Sequence, residues 1–400
     1  MIPVASRLTA WRAALTLLVA AALVCSAPWA ASAHGTPAAP PGEVVQGPSA
    51  GNIAWASADT TMPPAAGREE DEDGDAVPIR EEVQAPARSG LTEPQYLRTR
   101  IERLHGADRY QTANRIYFAG NWSDDGLVIA SGENFADALA ATPFAAARNM
   151  PIVLVAKGRI PPATDQVLRA AYERGVRTVY LVGGTSVMTA PLRAQIRSYG
   201  FAIAQHFGGA DRNVTAEGLA YATTEIYQQQ DTKLETIFLV DGTNFADALA
   251  AGPAAAERRG VILLTSGTTV PPATWHALSK LRAERHVIGG APAAALKHDA
   301  DVIVAGADRY ETAVQVARVY LPDANSVYLA SGQSFPDALA GGALAAGRSA
   351  TLLLTPPNRL PGVVESYLPP RKFTDLTVLG GTSSVTATLF NHLLNTVGAP

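Results

Sequence analysis

The chain has a single cysteine in 400 residues, Cys25, which lies in an apolar run near the amino terminus. Beyond that point no disulfide, thiolate metal site or cysteine nucleophile can form. Long apolar runs are also missing. The stretch from Ala13 to Val24 is about a dozen residues, and nothing later approaches the ~18 uninterrupted apolar residues a membrane helix needs. A dominant charge sign is absent from most of the chain: residues 96–400 hold 27 basic and 25 acidic residues, a net of +2. That balance gives no broad basic field, so nucleic acid is not an expected partner.

Chemical signatures are equally sparse. No G-x-G-x-x-G follows a strand, and no G-x-x-x-x-G-K-[ST] occurs. H-E-x-x-H is missing as well, and the one G-x-S-x-G, at Gly47–Gly51, follows no strand-like run and so is no nucleophile elbow. The seven histidines are scattered, and no His/Asp/Glu cluster stands at metal-ligand spacing. No cofactor, metal or catalytic centre is therefore expected.

Residues 1–33 read as a secretory signal. Arg7 and Arg12 form a basic head, the apolar run follows, and Ala31-Ser32-Ala33 is a small-residue cleavage site. A lipoprotein reading of Cys25 is opposed by bulky Val24 directly before it. The expected mature chain has no transmembrane segment. Residues 34–95 are rich in Pro, Ala and acidic side chains, with 11 acidic against 3 basic residues. Without helical or strand periodicity, they read as a disordered linker.

After Pro94 three blocks recur in the same order. Gly106-Ala107-Asp108-Arg109 returns at Gly209 to Arg212 and at Gly306 to Arg309. Asn134-Phe135-Ala136-Asp137-Ala138-Leu139-Ala140 returns from Asn244 and, as Ser334-Phe335-Pro336-Asp337, a third time. An apolar strand ending in Gly183-Gly184, Gly289-Gly290 or Gly380-Gly381 closes each set. The spacing predicts three units, 96–200, 201–299 and 300–400.

In the first unit we expect strands at 101–104, 127–131, 152–155 and 177–182. Helices are expected at 109–119, 135–148, 162–174 and 189–198. Apolar strands alternating with helices indicate a parallel sheet covered on both faces. The fold class is thus α/β: three tandem Rossmann-like or flavodoxin-like modules with mainly parallel sheets and a pseudo-threefold arrangement. One point is open. Ile101–Leu104 belongs either to the module it introduces, the simpler assignment, or to the third sheet, which would close a ring.

The recurrent residues admit two readings. Asp108, Asp211 and Asp308 fit helix caps. Asn134, Asn244 and Ser334 fit N-caps, with Asp137, Asp247 and Asp337 completing something close to a capping box. The same Asn and Asp side chains could instead meet sugar hydroxyls. Arg109, Arg212 and Arg309 fall at first helical positions, where a cation opposes the helix dipole. They need either an internal carboxylate, the simpler partner, or an anionic ligand. These arginines are read as the one cationic feature common to all three units. A Glu133–Asp137 carboxylate pair is conceivable, but Thr243 and Gln333 replace Glu133 in the other copies. His105 and His206 read as satisfied strand-end histidines.

Together the blocks resemble the cell wall binding repeat 2 family. Gly-Ala-Asp-Arg-Tyr-x-Thr-Ala stands at Gly106–Ala113 and Gly306–Ala313. Asn-Phe-Ala-Asp-Ala-Leu-Ala and the Val182–Ser186 turn add to the match, which covers about residues 100–400. The second copy departs from it with Asn213 in place of tyrosine. The resemblance implies a secreted protein at the cell wall or surface of a bacterium, binding a cell-wall glycopolymer non-covalently and without catalysis. Arg109, Arg212, Arg309, Asn134, Asn244, Asp137, Asp247 and Asp337 are the candidate contacts. A hydrolase of wall polysaccharide and a receptor for a small soluble ligand are the alternatives. Family members often carry an enzyme as well, and this sequence outside the repeats reads as too short and polar for one.

The composition of 34–95 generates a first prediction. Limited trypsinolysis should cut at Arg68, Arg80 and Arg88 well before any site in 96–400. Protection of those three sites would show that this segment is ordered.

Overall fold

The computed structural model describes residues 99–368 and 373–397. The signal-like 1–33 and the linker read at 34–95 lie outside the described residues. Twelve strands and twelve helices alternate along the described chain. They form three four-stranded sheets, all parallel.

The first sheet holds β2 (Leu127–Ser131), β3 (Ile152–Val155), β4 (Thr178–Val182) and β5 (Ala202–Phe207), in the order β3-β2-β4-β5. The second holds β6 (Thr236–Asp241), β7 (Gly260–Thr265), β8 (Glu284–Ile288) and β9 (Val302–Val304), in the order β7-β6-β8-β9. The third holds β10 (Ser326–Ser331), β11 (Thr351–Thr355), β12 (Asp375–Leu379) and β1 (Arg100–Leu104), in the order β11-β10-β12-β1. This is the flavodoxin-like order with its switch point beside the first strand of each sheet. Central strands are buried along nearly their whole length, as in Leu127–Ser131, Ile237–Asp241 and Val327–Ser331. A strand covered by helices on both faces leaves no side for water, so an unbroken apolar run is what its position requires.

Ile101–Leu104 does not belong to the module it introduces. β1 pairs in parallel with β12, with Leu104 opposite Leu379. β5 and β9 likewise finish the sheets before them, and Gly183, Gly289 and Gly380 donate equivalently to the carbonyls of Phe207, Val304 and Leu104. Cuts at 200/201 and 299/300 therefore separate each closing strand from its sheet. A short helix returns the chain to the sheet it left: α4 (Ala190–Ser198) leads from β4 to its neighbour β5. The helix after β5, α5 (Arg212–Gln229), carries the chain across to the second sheet. The helix α1 (Arg109–Ala119) does the same from the third sheet to the first, and α9 (Arg309–Tyr320) from the second to the third.

The helix expected at 135–148 is observed as α2 (Ala141–Ala147). Before it the chain makes tighter turns, with Ala138 N bonding Phe135 O and Ala141 N bonding Ala138 O. Its counterparts α6 (Phe245–Glu257) and α10 (Pro336–Ala346) start earlier. These three helices pack on one another. Their equivalent positions Thr142, Gly252 and Gly342 meet where only small residues fit. A Cβ on Gly252 would stand 3.0 Å from Thr142 Cβ. At their amino ends Phe135, Phe245 and Phe335 form a triangle of rings with centroids 5.4, 5.6 and 6.2 Å apart. One contiguous core runs through all three modules, and the second and third add smaller outer clusters.

The closing strand is held by polar groups from the far end of the chain. Arg103 is 5% exposed, lies over the Phe390 ring at 4.4 Å, and donates to Gly380 O (3.1 Å) and Val385 O (2.8 Å). Thr99 Oγ1 donates to Phe373 O at 2.7 Å, and Arg100 pairs with Asp375 at 3.0 Å. Arg103→Ala should destabilise the protein by about 2–4 kcal/mol, because it strands two buried carbonyls and empties the space over Phe390. Hydrogen exchange should then rise at 375–379 more than at 127–131. The opposite ranking would mean that β1 supports the first module.

Candidate functional site

The three repeated blocks converge at the carboxyl ends of the strands, the edge at which open α/β sheets bind ligands. Each convergence straddles two modules, so the ring has three junctions of the same construction.

The arginine block starts a helix by capping itself. Asp108 accepts from Tyr110 N and Gln111 N, Asp211 from Asn213 N and Val214 N, and Asp308 from Tyr310 N and Glu311 N. Thr112, Thr215 and Thr312, one turn on, accept from Gly106 N, Gly209 N and Gly306 N, each at 3.1 Å. The aspartates thus satisfy helix-end donors and the threonines the preceding glycine N–H, and the capping role of the three aspartates is observed.

Among the described residues each arginine is held by a backbone carbonyl and not by a carboxylate. Arg109 Nη1 donates to Gly132 O at 2.5 Å, Arg309 Nη1 to Gly332 O at 2.6 Å, and Arg212 Nη1 to Gly242 O. Those glycines follow β2, β10 and β6, so each guanidinium ties a crossing helix to the first strand of the sheet it enters. Arg212 also lies over the Phe135 ring and Arg309 over the Phe245 ring, both at 5.8 Å. Among the described residues none of the three forms an ion pair. A guanidinium carries five N–H donors, and one carbonyl leaves most of them open at a half-buried edge.

The aspartates of the second block are not capping-box residues. They reach across to the glycine pair. Asp137 Oδ2 accepts from Gly184 N at 3.1 Å, and its Oδ1 from Thr215 Oγ1 at 3.5 Å. Asp337 Oδ2 accepts from Ser384 Oγ at 2.7 Å. Gly183, Gly289 and Gly380 have φ of 133°, 95° and 95°, and a Cβ at Gly289 or Gly380 would fall 2.3 or 2.2 Å from the Asp247 or Asp337 carboxylate. The glycine pair is therefore needed both for its backbone angle and for the close approach of a carboxylate. Asn134 accepts from Ala136 N and Asn244 from Ala246 N, as caps do. Ser334 makes no cap bond, and α10 begins after Phe335.

Burial pushes the Asp247 carboxyl up to about 6, with Arg309 opposing the rise and Asp241 adding to it. Asp241 stands where the other modules have Ser131 and Ser331, so only this junction places a second carboxylate nearby. Desolvation also raises Asp337, offset by hydrogen bonds from Ser384 and Thr112 and by the charge of Arg109. Glu133 is exposed, 3.5 Å from Tyr110 Oη, while both oxygens of Asp137 are already engaged.

The junctions differ in detail. His206 Nε2 meets Gly183 O at 2.7 Å, a satisfied strand-end histidine, and Arg103 takes the equivalent place in the third sheet. The second sheet has exposed Ile303 there. Asn213, standing where the other copies have Tyr110 and Tyr310, is buried with Oδ1 lacking a hydrogen-bond partner.

The arginines at the helix starts are not the only recurrent cations. Arg148, Arg258 and Arg348 close α2, α6 and α10 at the opposite edge. Each lies fourteen residues after the block-opening Asn134, Asn244 or Ser334, a spacing plainly present in the sequence. The residues around it vary, so no repeated block marks it.

A family model described as cell wall binding domain 2 matches residues 103–192, 206–296 and 303–390. N-acetylmuramoyl-L-alanine amidase LytC of Bacillus subtilis is 28% identical over 302 residues, 74% of this chain and 58% of the amidase. The chain thus spans little more than half of that relative. Among solved structures, Cwp6 from Clostridium difficile superposes with a TM-score of 0.67 at 24% identity, over 80% of this chain and 52% of Cwp6. Cwp8 from the same organism gives 0.62 at 22% identity, over 73% and 51%. At these identities the two structures establish the fold.

The Asp247 environment yields a pH prediction. Because folding raises this carboxyl above its usual 3.8, the stabilisation from its bound proton is complete below about pH 4. It is lost as pH rises through about 6. Asp247→Asn keeps the neutral form at every pH. Its unfolding free energy relative to the parent should therefore rise between pH 4 and 6.5, by up to about 2–3 kcal/mol. A difference that stays flat across that range would show that Asp247 remains ionised.

Proposed function

The chain belongs to the cell wall binding domain 2 family, and on that premise we propose that it is an exported protein. In this reading it holds itself to an anionic cell-wall glycopolymer through the three junctions, without performing chemistry on it. The observation that carries the proposal is the state of Arg109, Arg212 and Arg309. Each guanidinium is held by one backbone carbonyl at the ligand-binding edge of a sheet, and no carboxylate neutralises it by direct pairing. A cation fixed in this way meets a phosphate or carboxylate with little loss of side-chain freedom.

Asn134, Asn244, Asp137, Asp247 and Asp337 stand around those cations. The two asparagines have amide donors free for sugar hydroxyls. The three aspartates act mainly by shaping the Gly-Gly turn. This division also supports a non-catalytic role: the Asp137 and Asp337 carboxylates are occupied by turn donors, and Glu133 has no acidic counterpart in the other copies. Three weak sites on one rigid ring would add by avidity along a repeating polymer.

Cosedimentation with purified walls tests this reading. Replacing Arg109, Arg212 and Arg309 together by Gln should abolish most binding, with single losses of roughly tenfold. Arg212→Gln should cost least, because its junction carries Asn213. Binding should weaken with salt, since screening shortens from about 10 Å at 0.1 M to about 3 Å at 1 M. Walls stripped of anionic polymer by acid should not retain the protein. Full binding by a folded triple variant, checked by thermal unfolding, would exclude the arginines as contacts. A fall in wall turbidity on incubation would mean hydrolysis.

A further inference from the structure

The second arginine triad leads to a different site. Ring closure brings the end of α1 against the end of α10, and between them lies a cleft of about 310 Å³. Its walls include Ala119, Asn121, Trp122 and Asn149 from the first module and Leu344 and Arg348 from the third. Both helices end at the amino edge of the strands, so this cleft is on the opposite side of the ring from the three junction arginines.

Several features mark it as a formed recess and not a packing gap. Arg348 is exposed yet fixed, with Nη1 on Tyr328 Oη at 2.9 Å and Nη2 on Ala119 O at 2.8 Å. Those two bonds leave three of its five donors unused. Asn149 ends α2 at φ 49°, as its counterparts Arg259 and Ser349 do at 42° and 47°, but here its Nδ2 donates to Asn121 O at 2.8 Å. The Trp122 indole is pinned by a 2.7 Å bond to Tyr117 O. No carboxylate lines the cleft. The equivalent place at the junction of the first and second modules is filled. There α5 runs 18 residues against 11 for α1, and Gln230 reaches Ala147 O at 2.9 Å.

We propose that this cleft is a separate binding site for a single carboxylate-bearing sugar residue. The Arg348 guanidinium would pair with the acid group. The amides of Asn121 and Asn149 would meet hydroxyls, and the edges of Trp122 and Leu344 would form an apolar floor. The volume lies at the small end of the ~300–1,000 Å³ range of ligand pockets, which suits one sugar unit. The lone unneutralised cation selects an acid over a neutral sugar. This site does not depend on the junction reading.

Saturation-transfer NMR on the full chain, with glucuronate, glucose and acetate as probes, tests it. Glucuronate should give a saturable signal, with glucose and acetate at least ~10-fold weaker. Arg348→Gln should remove that signal. Because Arg348 also braces the ring, the Asn121→Ala/Asn149→Gly variant serves as a second test. Glycine accepts the Asn149 backbone angle, and this variant should weaken glucuronate by a similar factor while remaining folded. The triple Gln variant of Arg109, Arg212 and Arg309 should bind glucuronate unchanged. Equal signals from glucose, or acetate as strong as glucuronate, would overturn the proposal. So would retention of the signal in the Asn121/Asn149 variant or its loss in the junction-arginine variant.

Discussion

The pairing of β1 with β12 is the constraint on which the rest depends. Each sheet is finished by a strand whose following helix leaves for the next sheet, and the last sheet is completed by the strand at the beginning of the described chain. That geometry forces the crossing helices α1, α5 and α9 into the spaces between modules. The three central helices then meet on one axis, where Thr142, Gly252 and Gly342 permit close approach and Phe135, Phe245 and Phe335 form the end of the stack. The modules are not beads on a string. Each lends the next its junction, and one core passes through all of them.

Within that ring each recurrent residue serves another recurrent residue. The aspartate after the phenylalanine holds the glycine pair, whose left-handed glycine makes room for it. The arginine ties the crossing helix to the next sheet through a glycine carbonyl. The cost of placing a cation at a helix start is offset by that carbonyl and, for Arg109 and Arg309, by the charge of the buried Asp337 and Asp247 when these are ionised. Its remaining donors face the edge where a ligand would bind. Under the proposed function the same side chain would serve both structure and recognition, so conformational stability and wall binding need to be measured side by side on any arginine variant.

The two edges of the ring differ in kind. At the carboxyl edge three similar junctions repeat, which suits a repeating polymer. At the amino edge the corresponding places have diverged. A longer α5 and Gln230 fill one, Tyr320 packs on His286 at another with a 3.0 Å contact, and the closing junction keeps an open cleft with a braced arginine. Divergence of this kind is what a site for a single small group would show against a background of threefold repetition.

Local sequence determined much of this protein. Unbroken apolar runs such as Leu127–Ser131 can be satisfied only by strands covered on both faces, and Gly-Ala-Asp-Arg-x-x-Thr carries its own cap bonds within seven residues. The strands, most helix limits, the α/β class and the repeat count were legible for that reason. What lay out of reach were contacts between segments far apart in the chain. Nothing near Ile101 indicates that its partner is Leu376, because an edge strand pairs according to where the preceding helices leave it. The partner of Arg109 is a backbone carbonyl, which has no side-chain signature to read, and Asp137 reaches a glycine 47 positions away. The cleft beside Arg348 exists only because the ring closes. Tertiary structure alone decided which residues share a site, since each junction joins segments of neighbouring modules and closure brings the two ends of the described chain together.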